Sequence, residues 1–163
     1  MAVFCAAYCL ATTMNADKLQ KQVGAAILRT RFRLWLSQSA LAERANLSRT
    51  YMTKLETGKG NPSIKTLAAL AKALGVNITE LLGQAQQTEA PRPGDHGRLR
   101  LGSTIRKLRQ NLGLSQAAFA KAAQINRTYL AGIEGGKRNP TLRNVARIAK
   151  GLNISVNELF SAL

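Results

Sequence analysis

The sequence is poor in the residues that build catalytic and metal sites. With a single histidine, His96, and only eight acidic residues in 163, no acid/base pair can be nominated. No P-loop, dinucleotide fingerprint or His/Asp/Ser constellation is present, so neither a catalytic residue nor a cofactor is expected, and the chain does not read as an enzyme. Cysteine is equally scarce. Cys5 and Cys9 stand four apart with no histidine or second cysteine pair nearby, which speaks against a metal site and for reduced thiols in the cytoplasm. Long apolar runs are missing too. Met1 to Met14 (MAVFCAAYCLATTM) carries no charge, but it is too short to span a bilayer and lacks the basic start of a secretory signal, so neither a membrane nor export is expected. Two readings of this stretch stay open: a start codon assigned ahead of Met14, or a docking segment.

What replaces the missing acids is positive charge. Lys and Arg number 24 against the eight acids, a formal net charge of +16 and a pI near 11.0, which favours a polyanionic partner such as nucleic acid. The excess is shared: residues 17–83 carry +7 (11 basic, 4 acidic), 84–100 carry +1, and 101–163 carry +8 (10 basic, 2 acidic). A basic tail would be lopsided, and this distribution is not.

The sharing follows an internal repeat. LSQSALAERANLSRTYMTKLETGKGNP at Leu36–Pro62 returns as LSQAAFAKAAQINRTYLAGIEGGKRNP at Leu114–Pro140, at one constant offset and without a gap. Ser37 and Ser115 have N-cap chemistry, and the apolar positions Ala40, Leu41 and Ala45, or Ala118, Phe119 and Ala123, follow at helical spacing. That helix should end near Arg44. Asn46 suits a tight turn at positive φ, Ser48 caps a second helix running to Glu56, and Gly58 or Gly136 ends it in the left-handed conformation. Two short helices joined by so tight a turn make a helix-turn-helix.

Both segments resemble the DNA-binding domain of Cro/C1-type (XRE family) helix-turn-helix transcriptional regulators. The resemblance rests on Leu-Ser-Gln, then Leu/Phe-Ala, then a second helix ending in Leu/Ile-Glu-x-Gly-Lys-x-Asn-Pro, with an amphipathic helix after it. It implies an all-α fold: two tandem five-helix, lambda-repressor-like domains joined by a flexible linker, with double-stranded DNA as partner. The residues matching the family's base-contacting positions are Arg49, Thr50 and Lys54, then Arg127, Thr128 and Gly132. Arg49 and Arg127 suit bidentate contacts to guanine, worth about 1–3 kcal/mol of discrimination each. The matching phosphate contacts are Gln38, Tyr51 and Lys59, with Gln116, Tyr129, Lys137 and Arg138 in the second copy, although Lys59 and Lys137 also read as ordinary solvated surface. In the family a salt bridge ties the first helix to the recognition helix, and Arg31–Glu56 and Arg109–Glu134 occupy its positions. Those four are assigned to structure.

In chain order, residues 1–17 form the apolar extension, 18–83 the first domain, 84–100 a linker (QAQQTEAPRPGDHGRLR) and 101–163 the second domain. Leu19, Val23, Ile27 and Leu28 share a face of the first helix, and small residues (Ala68, Ala69, Ala71, Ala73) should let helices approach while Leu67, Leu70 and Leu74 fill the core. Ser63 and Gly75 bracket a fourth helix. Asn77 with Glu80, and Ser155 with Glu158, have capping-box spacing for a fifth. A coil of 17 residues spans roughly 20–25 Å on average and about 55 Å extended, so it permits two recognition helices about 34 Å apart. Trp35, the only tryptophan, aligns with Gly113 and is expected to cover core rather than sit exposed.

The second copy departs from the pattern twice. Gln124 stands where Asn46 does, adding strain if φ is positive, and Gly132 replaces Lys54, removing a base contact at about 1 kcal/mol of helix propensity. These features imply that the first domain supplies more of the specificity. The leading expectation is a sequence-specific regulator, most simply a repressor, acting in the cytoplasm at the nucleoid. The competing one is an antitoxin-like interaction module that binds a partner protein and autoregulates through the same domains. A homodimer is compatible with either, and no small-molecule ligand is evident.

Overall fold

The computed structural model describes residues 16–83 and 96–162, which contain ten α-helices and no strand. The apolar segment 1–14, with Cys5 and Cys9, lies outside them. The described residues separate into two compact units, one within residues 17–83 and the other within 96–162.

In the first unit the helices are α1 (Ala16–Arg33), α2 (Gln38–Arg44), α3 (Arg49–Glu56), α4 (Ile64–Leu74) and α5 (Ile78–Leu81). Most of these boundaries have a local cause. The Ser37, Ser48 and Ser63 hydroxyls accept from the amides of Ala40, Tyr51 and Thr66 at 3.1–3.2 Å, which satisfies donors that a helix start leaves orphaned. The Asn77 amide donates to the Glu80 carboxylate at 3.1 Å, the return half of a capping box. Asn46 turns the chain at φ 52°, and Gly58 and Gly75 end their helices at φ 70° and 66°.

The second unit repeats the plan with α6 (His96–Asn111), α7 (Gln116–Ala122), α8 (Arg127–Glu134), α9 (Leu142–Gly151) and α10 (Val156–Ser161). Ser115 caps α7, and Asn126 caps α8 by accepting from Thr128 and Tyr129 at 2.8 and 3.3 Å. Asn153, at φ 57°, takes the place of Gly75, since asparagine also tolerates the left-handed region.

Each core is the apolar stripe of its helices folded inward. Val23, Ile27, Leu41, Met52, Leu55, Leu67, Leu70 and Leu81 are buried in the first unit, and Leu101, Ile105, Phe119, Leu130, Ile133, Val145, Ile148 and Leu159 at the matching places in the second. Each such side chain contributes roughly 1.5–3 kcal/mol, which matters where a unit of about 60 residues buries only about 60% of its unfolded surface.

Three local expectations are corrected. Trp35 is 95% exposed, because its backbone sits at φ 54°, the left-handed conformation that Gly113 adopts at 67°, and that conformation turns the side chain outward. Of the four alanines on α4 only Ala71 is buried, since the inward stripe of that helix is Leu67, Leu70, Ala71 and Leu74. The close approach is made instead by Gly24 and Gly102. A Cβ on either would lie 2.4 or 2.2 Å from the carbonyl oxygen of Leu55 or Ile133, so the first helix of each unit crosses the end of α3 or α8 backbone to backbone. Finally, α6 starts at His96, inside the stretch read as linker, and α1 at Ala16, just before the expected start. No proline stands between Pro93 and Pro140, and a first turn needs no apolar period, so the helix extends upstream of its buried residues.

Candidate nucleic-acid interface

α3 and α8 each present one face to the core and the other to solvent. Met52, Leu55 and Glu56 point inward, as do Leu130, Ile133 and Glu134. The helical period leaves Arg49, Thr50, Thr53 and Lys54 outside, and likewise Arg127, Thr128 and Ala131. The cap at Ser48 or Asn126 places the Arg-Thr pair in the first turn, where side chains can project beyond the end of the helix.

A buried ion pair fixes the presentation. Arg31 donates through Nε to Glu56 at 2.6 Å and through Nη2 to its other oxygen at 3.2 Å, a two-pronged contact. Its Nη1 donates to the Leu36 carbonyl at 2.7 Å, holding the turn before α2. Gln38 then donates to Glu56 at 2.7 Å and accepts from the Thr53 hydroxyl at 3.4 Å. One carboxylate thereby joins α1, the start of α2 and α3.

The second unit repeats the ion pair contact for contact. Arg109 donates to Glu134 at 2.7 and 3.1 Å and to the Leu114 carbonyl at 2.6 Å, and Gln116 donates to Glu134 at 2.8 Å. Burial alone pushes the Glu134 carboxyl up, but hydrogen bonds from Arg109 and Gln116 and the charges of Arg109 and Arg106 together hold it below its ordinary value. The hydrogen bond to Glu134 raises Arg109 against the opposing effect of desolvation.

The residues nominated as phosphate contacts fall into two groups. Gln38 and Gln116 each commit one amide N–H to the ion pair and have a second to offer. Lys59, Lys137 and Arg138 are exposed on the loop after α3 or α8. Tyr51 and Tyr129 are half-buried; burial raises the Tyr51 phenol, which keeps it a proton donor, and the Tyr129 hydroxyl accepts from Asn144 at 3.1 Å.

Sequence reasoning missed three parts of this arrangement: the glycine crossing, the glutamine that completes the ion pair, and the Asn144 tether. The first had a signal, for Gly24 and Gly102 occupy matching places of the repeat inside helices that glycine weakens. Among the described residues there is no cluster of three or more metal-ligating side chains, and no helix is long and apolar enough to cross a membrane.

A family model described as helix-turn-helix matches the chain twice, at residues 33–81 and 105–159. The control protein C.MunI of Mycoplasma sp is 45% identical over 65 residues, 39% of this chain and 88% of that protein. The immunity repressor protein of Bacillus phage phi105 is 47% identical over 49 residues, 30% of this chain and 34% of its own length. The control protein C.BamHI of Bacillus amyloliquefaciens is 35% identical over 63 residues, 38% of this chain and 78% of the relative.

Proposed function

The chain belongs to the helix-turn-helix family, and from that premise we propose that it is a double-stranded DNA-binding transcriptional regulator, a repressor that occludes its target. The observation that carries this reading is the duplicated frame: an Arg-Thr pair in the first exposed turn of a helix held by a buried ion pair, present in both units. A bidentate guanidinium on guanine O6 and N7 needs such a fixed base. Arg49 and Thr50, with Lys54, read one half-site, and Arg127 and Thr128 the other. Gln38, Tyr51, Lys59, Gln116, Tyr129 and Lys137 set the register against phosphates.

Each relative named above aligns over no more than the length of one unit, and the proposal uses both units of this chain. Residues 84–95 could reach about 40 Å if extended, enough for half-sites about 34 Å apart. Tethering raises the second unit's local concentration to the mM range, so two weak readers act as one tight one. The site of action is the cytoplasm, at the nucleoid, and the role is binding rather than catalysis.

Selection from a random DNA library at about 0.15 M salt, with the full chain and with Arg49→Ala and Arg127→Ala, tests the reading. Two G-containing half-sites at fixed spacing are expected, each variant relaxing one of them. Binding without sequence enrichment would refute it.

A second reading, a module that docks on a partner protein and autoregulates, is favoured by one observation: Phe32, Leu34 and Trp35 are 62%, 42% and 95% exposed. A stoichiometric protein that co-purifies with the chain and is lost on Trp35→Gly would support it.

A further inference from the structure

The two units exchange a cation between two positions. In the first, Lys54 stands on α3 and Gly60 on the loop after it; in the second, the matching places hold Gly132 and Arg138. The loop backbone is pinned at this point, since the amides of Lys137 and Arg138 both donate to the Gly132 carbonyl, at 2.8 and 3.0 Å. The Arg138 stem then passes against α8 at Gly132. A Cβ built on Gly132 would meet Arg138 Cγ at 2.5 Å and Cδ at 3.8 Å, so the arginine stem occupies the space that a side chain at 132 would fill. The missing side chain is what lets it through.

The stem borders a concavity of about 670 Å³ whose lining includes Thr128, Ala131, Gly132, Gly135, Lys137 and Arg138. Thr128 belongs to the first turn of α8, so Arg138 shares one surface with the end of the helix that faces bases in the proposed reading.

We propose that Arg138 is a specificity-determining residue that reaches the major groove across Gly132 and reads a guanine, doing for the second unit what Lys54 does for the first. This rests on the DNA-binding function proposed above and replaces the phosphate contact that family resemblance implies for Arg138. An arginine fork contacts O6 and N7 of guanine together, whereas a lysine offers a point charge, so the second unit is the stricter reader at this base pair. Loss of helix propensity at Gly132 is then tied to a longer, planar reader and is not a defect of the copy.

The test is selection from a random duplex library with the full chain as wild type, Arg138→Ala and Gly132→Ala, followed by competition binding across a salt series. Wild type should enrich a second guanine in the second half-site, beside the one assigned to Arg127. Arg138→Ala should lower discrimination there by roughly 5- to 150-fold and leave the first half-site unchanged. Gly132→Ala should relax the same position although the guanidinium remains, because its methyl displaces the arginine stem. A uniform loss across all sequences for Arg138→Ala, with the salt slope falling by about one, would make it a phosphate contact and overturn the proposal. If wild type itself enriches no sequence, the DNA-reading function fails first, an outcome distinct from an Arg138→Ala variant that selects the wild-type site.

Discussion

The two units share a frame and differ in what hangs on it. The ion pair, its glutamine and the glycine crossing recur contact for contact, while positions 54/132 and 60/138 exchange a cation for a glycine. Interior geometry tolerates one solution and surface chemistry many. The turns show the same thing from the other side. Asn46 and Gln124 sit at φ 52° and 53°, Trp35 and Gly113 at 54° and 67°, so the packed helices impose the left-handed conformation whatever residue has to adopt it.

The sharpest way to break the comparison is to remove one carboxylate. Glu56→Ala or Glu134→Ala leaves a buried guanidinium without its counter-charge and should destabilise its own unit by about 3–5 kcal/mol. Calorimetry of the full chain should show one transition falling while the other holds; a joint fall would mean that the units unfold together. The second unit also carries an acid-side signature. Because folding holds the Glu134 carboxyl below its ordinary value, its contribution is fully present above the unfolded value near 4.5 and is lost as pH falls through the folded one. Glu134→Gln should flatten that acid-side fall in the stability of the second unit.

Next in size is the crossing. Gly102→Ala and Gly24→Ala each push a methyl into a carbonyl oxygen, at 2.2 and 2.4 Å, and should cost about 1–3 kcal/mol, the second unit slightly more. Elsewhere in a helix the same substitution stabilises by about 1 kcal/mol, so the sign alone tests the geometry in denaturant unfolding.

Why some of this was legible in the sequence and some not follows from how local each feature is. Ser37, Ser48, Ser63 and Asn46 act within a turn of themselves, and the helix boundaries they set were readable one residue at a time. The apolar stripe of α4 was legible as Leu67, Leu70 and Leu74, but the alanines between them were not sorted, because only the helix's rotation against its neighbours buries Ala71 and leaves Ala68 outside. Trp35 misled for a related reason. Hydrophobicity argues for burial, yet the backbone conformation at that place decides direction, and a lone tryptophan does not announce a left-handed φ. The course of Arg138 depends on a loop folding back over a helix, so it had no sequence signature beyond the exchange with Lys54 and Gly60.

The smallest expected effect is also the most discriminating for the idea that the frame overrides the residue. If helix packing forces a left-handed φ of 53° at position 124, Gln124 bears the cost of a conformation that asparagine adopts more easily, so Gln124→Asn should stabilise the second unit by about 0.5–1 kcal/mol. In a domain of this size that raises its melting temperature by roughly 2–8 °C. The Arg147 guanidinium, 3.5 Å from the Gln124 carbonyl oxygen, contacts backbone and should survive the change. Trp35→Gly makes the parallel move in the first unit, where relief of strain is partly offset by the freedom glycine gains in the unfolded chain, so a smaller rise is expected. A Gln124→Asn variant that melts with the wild type would mean that the left-handed turn is strain-free for glutamine there, and the two turns would differ in energy no more than they do in shape.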